Sequence, residues 1–195
     1  MTASAEAIRR PRFTIVPADT PARIEAAREL FKEYATSLSF NLCFQGFEEE
    51  LAHLPGDYAP WSGMLLLALL DEQPAGCIAL RRFEKKTNED DEIFAELDLC
   101  EMKRLFVRPE FRGLGLGRDL VDAVLKCAAA IGYRHMRLDT VPNEMATALE
   151  MYRKIGFVEI APYRDNPVPG AKYLELDIRL WQATTGRRTT NFSGQ

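Results

Sequence analysis

The sequence predicts a mixed α/β (α+β) fold, and three observations carry that prediction. Apolar, β-favouring runs bounded by turn residues recur along the chain, and residues 64–70 and 73–83 form a hairpin-like pair around Asp71-Glu72. Other segments repeat their apolar residues with helical spacing, as residues 118–131 do. The two periods meet over residues 105–120, where an apolar run stops at Pro109, crosses a turn bearing Gly113, Gly115 and Gly117, and enters that helix.

Residues 1–10 show no periodicity and are expected to be disordered. Residues 12–16 alternate apolar with polar as a strand ended by Pro17, and Asp19 or Thr20 supplies a helix N-cap with Pro21 at the first helical position. Ile24, Ala27, Leu30, Phe31 and Tyr34 share one face of the helix that follows. A second helix is expected over residues 44–54, and a turn-rich loop over 55–61. Residues 84–92 are charged and aperiodic, a solvated loop, and 95–107 supply the central strand. Helix 118–131 directs Leu120, Val121, Val124 and Leu125 at the sheet and stops at Gly132. Residues 136–140 form a strand ended by Pro142, and Asn143 or Thr147 caps a helix carrying Leu149, Tyr152 and Ile155. Strands over 157–160 and 172–178 complete the fold. A single domain is therefore expected over residues 11–181, with a polar, flexible tail over 182–195.

Of the 195 residues, 47% are hydrophobic and 28% charged, the balance of one globular domain large enough to bury a core. The net charge of −4 argues against broad binding to nucleic acid or an anionic membrane. Cys43, Cys77, Cys100 and Cys127 form no C-x-x-C pair, and His53 and His135 are the only histidines, so no metal site is expected. The longest apolar run, residues 64–70, is too short to span a bilayer. The N-terminus, with Arg9-Arg10-Pro11 and no apolar centre, is unlike a secretory signal. These features predict a soluble protein of a reducing compartment, the cytoplasm.

The glycine turn points to a phosphate ligand. The first turn of a helix carries unpaired N–H groups and the positive end of the helix dipole, and glycines let a pyrophosphate approach without meeting a Cβ. The turn lacks the Gly-Lys-Ser/Thr ending of an NTPase loop and the G-x-G-x-x-G spacing of a dinucleotide fold. What remains, Arg112-x-x-Gly115-x-Gly117, resembles the Q/R-x-x-G-x-G/A acyl-CoA signature of the GNAT superfamily of N-acyltransferases. Upstream, residues 101–107 are similar to that family's cofactor strand. Downstream, Ala148, Tyr152, Gly156 and Phe157 match its A-x-x-L-Y-x-x-x-G-F pattern, with Met151 in the usual Leu place. The resemblance covers residues 64–180 and, more loosely, the helical region before them.

It implies a mixed, mostly antiparallel central sheet flanked by helices and splayed at the acetyl-CoA site, with acetyl-CoA as cosubstrate and no metal. Backbone N–H groups of Arg112, Gly113, Leu114, Gly115, Leu116 and Gly117, with the Arg112 and Arg118 side chains, would take the pyrophosphate. Arg118 reads equally well as an exposed helix residue. Backbone groups of Leu105, Phe106 and Val107 would bind the pantetheine arm and the thioester oxygen. Asn143 is a further candidate for the arm, although it stands two residues further from Tyr152 than the family's usual asparagine.

For catalysis the candidates are Glu101 and Tyr152. Tyr152 falls where the family's tyrosine protonates the leaving sulfur, and a neutral phenol can donate. Strand alternation places residues 101, 103, 105 and 107 on one face, which would open Glu101 toward the acceptor amine. An ion pair with Lys103 or Arg104 is the equally weighted alternative for Glu101, and Glu96 and Asp98 are its reserves. Phe40, Tyr58 and Trp61 are candidates for the acceptor-pocket wall, against a role in core packing. Cys100 and Cys127 lack a visible histidine partner and read as packing residues rather than acyl carriers.

The expected function is transfer of the acetyl group of acetyl-CoA to a primary amine of a small-molecule acceptor by direct attack. Acetylation of a protein lysine or N-terminus is the second reading, and a non-catalytic acyl-CoA-binding sensor module the third. Neither nucleic acid nor a membrane is expected as a partner, and a homodimer is left open. The acceptor itself depends on loops that carry no motif.

Overall fold

Met64–Leu70 (β2) is apolar at every position because both of its faces are covered: Leu65, Leu67 and Leu69 join one core, Leu66 and Ala68 the other. The structure is a computed structural model that describes residues 12–83 and 99–189. Around β2 pair β1 (Thr14–Pro17), β3 (Gln73–Arg82), β4 (Leu99–Val107), β5 (His135–Thr140), β6 (Val158–Ile160) and β7 (Lys172–Asp177). The order is β1-β2-β3-β4-β5-β7-β6, antiparallel throughout except for β4 against β5. This is the mixed, mostly antiparallel sheet the sequence implied.

Helices cover both faces. On one side lies α3 (Leu116–Ile131), whose Leu120, Val121, Val124, Leu125 and Ala128 are buried on the sheet. On the other lie α1 (Pro21–Thr36) and α2 (Phe47–Ala52), which bury Ala27, Leu30, Phe31, Phe47 and Leu51. Thr20 caps α1, accepting from the Arg23 N–H at 3.3 Å, with Pro21 at the first helical position. The expected second helix divides into a 3-10 turn, Cys43–Gln45, and α2, because Gly46 turns left-handed between them (φ 69°).

Two helical expectations are corrected. Helix α4 (Pro142–Ile155) starts at the proline with Val141 as its N-cap, so neither Asn143 nor Thr147 caps it; a fixed φ and no N–H suit Pro142 to the first turn. The segment after Trp181 is helical as far as Thr189, within α5 (Ile178–Thr189). Asp177 starts α5 by accepting from the N–H groups of Arg179 and Leu180 at 2.9 and 3.2 Å, and Trp181 is buried in the α3-side core. The expectations for residues 1–11, the loop 84–92, the strand start 95–98 and the tail from 190 lie outside the described residues.

Two irregularities create the space for a site. Strands β4 and β5 are paired only from Leu99↔His135 to Glu101↔Arg137 and part beyond that point. Opposite Ile78, the β3–β4 register slips: Ala79 pairs with Lys103 but Cys77 pairs with Phe106. Arg104 sits in this bulge with φ 59°, a left-handed conformation that costs a non-glycine residue about 1–3 kcal/mol. Its guanidinium is anchored on Glu50 of α2, with Nε at 2.9 Å, and lies 5.0 Å from the centre of the Phe47 ring. The bulge shifts the side-chain alternation by one residue. Met102, Leu105 and Val107 pack toward α3 while Phe106 joins the α1 side, so residues 101, 103, 105 and 107 do not share a face as simple alternation predicts.

Candidate active site

Where β4 and β5 part, a cleft of about 50 Å3 opens, lined from β4 by Lys103, Arg104 and Leu105, from β5 by Leu138 to Thr140, and from α4 by Met145 and Tyr152. Tyr34, Phe40 and Gln45 close it on the α1 side, and Asn166 closes it from the β6–β7 loop. Beyond Glu101↔Arg137 no ladder joins β4 to β5, so the β4 edge carrying Leu105 to Val107 is open toward the gap. Arg112 already occupies part of it, its Nε donating to the Val107 carbonyl at 3.0 Å.

Tyr152 is buried on α4, packed edge-to-face on Phe157 at 5.7 Å, and its hydroxyl makes no hydrogen bond to any described residue. Burial raises its pKa, so the phenol keeps its proton and is available as a donor at the cleft. Tyr34 on α1 lines the same cleft and is pushed up to about 12, again by burial.

The polar part of the wall is a connected set. Lys103 Nζ donates to Asp139 at 3.3 Å and to Gln45 at 3.1 Å, and Asn166 Nδ2 donates to the second Asp139 oxygen at 3.0 Å. The side chains of Lys103 and Asp139 are only 6% and 8% exposed.

Glu101 stands apart from the cleft lining. It is fully buried, and its oxygens accept from Arg81 (Nε 3.0 Å, Nη2 2.9 Å), from the Tyr163 hydroxyl (3.1 Å) and from Arg164. Its ion partners are therefore Arg81 on β3 and Arg164 on the β6–β7 loop, not Lys103, which pairs with Asp139, or Arg104, which pairs with Glu50. Tyr163 packs between Phe83 and Tyr173, so this cluster fastens the loop to β3 and β4 beside the cleft.

At the start of α3, Gly113 and Gly115 both take positive φ, 76° and 81°. Among the described residues the N–H groups of Gly113 to Gly117 have no backbone acceptor; the first intrahelical bond is Arg118 N–H to the Gly115 carbonyl, 3.0 Å. No side chain caps the helix. A row of unsatisfied donors on a backbone that only glycine adopts without strain fits a pyrophosphate. The Arg118 guanidinium is instead held by Asp122 one turn along, at 3.0 Å, and Asn143 is exposed and absent from the cleft wall.

The family model for "Acetyltransferase (GNAT) family" matches residues 24–157. The chain belongs to the GNAT acetyltransferase family. An uncharacterized N-acetyltransferase of Schizosaccharomyces pombe is 34% identical over 81% of this GNAT chain and 90% of its own. Among solved structures, a GNAT-family acetyltransferase of Staphylococcus aureus superposes with a TM-score of 0.64 at 18% identity, covering 86% of this chain and 99% of its own. A Salmonella typhimurium protein described as an acetyltransferase, solved with its cofactor acetyl-CoA, gives 0.62 at 15%, covering 85% and 94%.

Of the wall residues expected in this GNAT acetyltransferase, Phe40 lines the cleft. Tyr58 is core, donating to Glu50 at 2.7 Å, and Trp61 is 95% exposed on the surface. Cys77 and Cys100 are buried thiols whose pKa burial raises, and both donate to backbone carbonyls. Among the described residues no helix is long and apolar enough to cross a membrane.

Tyr34, Gln45, Lys103, Asp139 and Asn166 line the cleft and were not singled out as site candidates by sequence reasoning. Burial lowers Lys103 from its ordinary value to about 8, against the raising effect of Asp139. Between about 8 and 10.5 the unfolded chain therefore binds a proton that the folded chain has released, so this lysine adds stability as pH rises through that window. Denaturant unfolding at stepped pH should show wild type gaining on Lys103→Met from pH 8 to 10; parallel curves would remove the shift.

Proposed function

We propose that this chain transfers the acetyl group of acetyl-CoA to a primary amine of a small-molecule acceptor by direct attack. The observation that carries the reading is the parting of β4 and β5 at the Arg104 bulge, with an unpartnered, protonated tyrosine in the gap. Acetyl-CoA supplies an activated thioester; the protein supplies a phosphate cradle, an oriented edge and a proton.

The N–H groups from Gly113 to Gly117 hold the pyrophosphate, and Arg112, stacked at 5.9 Å on Phe106, stands beside them. The open β4 edge at Leu105 to Val107 orients the pantetheine arm and the thioester oxygen. The acceptor nitrogen meets the thioester within the same cleft. Its bond to the carbonyl carbon forms, the carbon–sulfur bond breaks, and Tyr152 delivers a proton to the departing sulfur and recovers one from the medium. Starting from an ammonium, the balance is amide, free thiol and one released proton. Glu101, with both oxygens engaged, serves by holding Arg81 and the Arg164 loop in place.

The residues that flank the cleft, Phe40 and Gln45 on one side and Asn166 on the other, support a small acceptor over a protein side chain. Thiol release from acetyl-CoA across amino acids, polyamines, aminoglycosides and peptides tests the reading, with turnover of at least one small amine as the expected result. CoA binding without turnover of any acceptor would leave a sensor module instead. Gly115→Glu should abolish CoA binding in calorimetry, because it strains a backbone at φ 81° and puts a carboxylate in the phosphate path. Undiminished affinity in the folded variant would refute the cradle.

A further inference from the structure

Lys103 and Asp139 are the two charged side-chain ends that face each other within the cleft wall, since the Arg104 guanidinium turns away to Glu50. Each has a second partner, itself in the cleft wall: Gln45 Oε1 accepts from Lys103, and Asn166 Nδ2 donates to Asp139. If the 3.3 Å contact between them opens, both residues still line the same cleft, each held by its second partner. A pair arranged in this way is a template for a ligand that carries both charges.

We propose that the acceptor is an α-amino acid whose ammonium group binds Asp139 and whose carboxylate binds Lys103, the two replacing the internal ion pair. The inference rests on the acetyl-transfer reading above and names its acceptor. Charge balance decides between acceptor classes. A simple amine or a peptide N-terminus would bring a second cation to one buried carboxylate, and a polyamine more than one. A zwitterion brings one charge of each sign, keeps the cleft neutral and leaves each buried charge paired. Lys103 remains cationic at neutral pH, so it can receive a carboxylate under working conditions.

The test compares L-α-amino acids, each beside its α-carboxamide, as acceptors for wild-type protein and for Lys103→Met, following thiol release from acetyl-CoA. The carboxamide keeps the amine and removes only the charge that Lys103 would bind. At least one amino acid should be acetylated, with kcat/KM exceeding that of its carboxamide by roughly tenfold or more, the scale of one charge-assisted hydrogen bond. In Lys103→Met that preference should collapse toward one. The comparison within wild type needs no variant to fold. Equal or better use of the carboxamides overturns the inference and leaves acetyl transfer standing. An inactive amino-acid panel beside turnover of another small amine does the same. Failure of wild type to bind CoA overturns the acetyl-transfer reading as well.

Discussion

Replacing Tyr152 with phenylalanine should lower turnover by about ten- to ten-thousandfold, the range for losing a positioned acid, while leaving CoA affinity unchanged. The substitution removes one hydroxyl and keeps the ring that packs on Phe157. That hydroxyl holds no described partner, so its loss breaks no internal hydrogen bond and costs the fold little. Because burial raises the pKa, the acid stays protonated throughout the usual assay range, and the defect should not fade as pH rises toward 9. Tyr34→Phe is the control, since Tyr34 lines the same cleft from α1 and is not assigned the leaving sulfur. Equal turnover for Tyr152→Phe and wild type, with chemistry shown to limit the rate, would contradict the assignment.

Glu101→Gln should instead act on the fold. Removing the charge leaves Arg81 and Arg164 beside a neutral amide in a site where the carboxylate is 0% exposed. Breaking a buried pair costs about 3–5 kcal/mol, and the lower end applies here because both guanidinium groups keep some access to water. The loss should appear in denaturant midpoints. Arg164 is already held below its ordinary value, at about 10, by burial and by the Arg81 charge, so removing its counter-ion also loosens the loop that carries Asn166. Activity should fall with a pH–rate profile of unchanged shape. A stable variant whose kcat/KM falls most at low pH, where the acceptor arrives as an ammonium, would make Glu101 the base after all.

The contrast between these two residues shows what the sequence could and could not reveal. The glycine-dependent turn entering α3 and the helix that carries Tyr152 were legible because their geometry is local, and Tyr152 itself was singled out by resemblance to a motif that ends at Gly156 and Phe157. Glu101 depends on Arg81, twenty residues before it, and Arg164, sixty-three after it, which only strand register and a loop path bring together. Its face could not be read by alternation, because the bulge at Arg104 shifts the phase and nothing in Lys103-Arg104-Leu105 announces a left-handed residue. Lys103 and Asp139 were missed for a related reason. Single charges within apolar strands read as solvent-facing, whereas here they turn toward each other in the gap between diverging strands. For α5 a signal was present. Asp177 stands where an N-cap would, and the polar residues after Trp181 hid it by suggesting a tail.

The central claim is that the gap between β4 and β5 is the acyl-transfer site and the Gly113–Gly117 turn its phosphate cradle. A crystal structure of the wild-type protein with CoA tests this most directly. The pyrophosphate should lie on the N–H groups of Gly113 to Gly117, with the thiol in the cleft beside Leu105 and the Tyr152 hydroxyl. CoA bound with its pyrophosphate away from that turn, or with its thiol outside the parted strands, would contradict it.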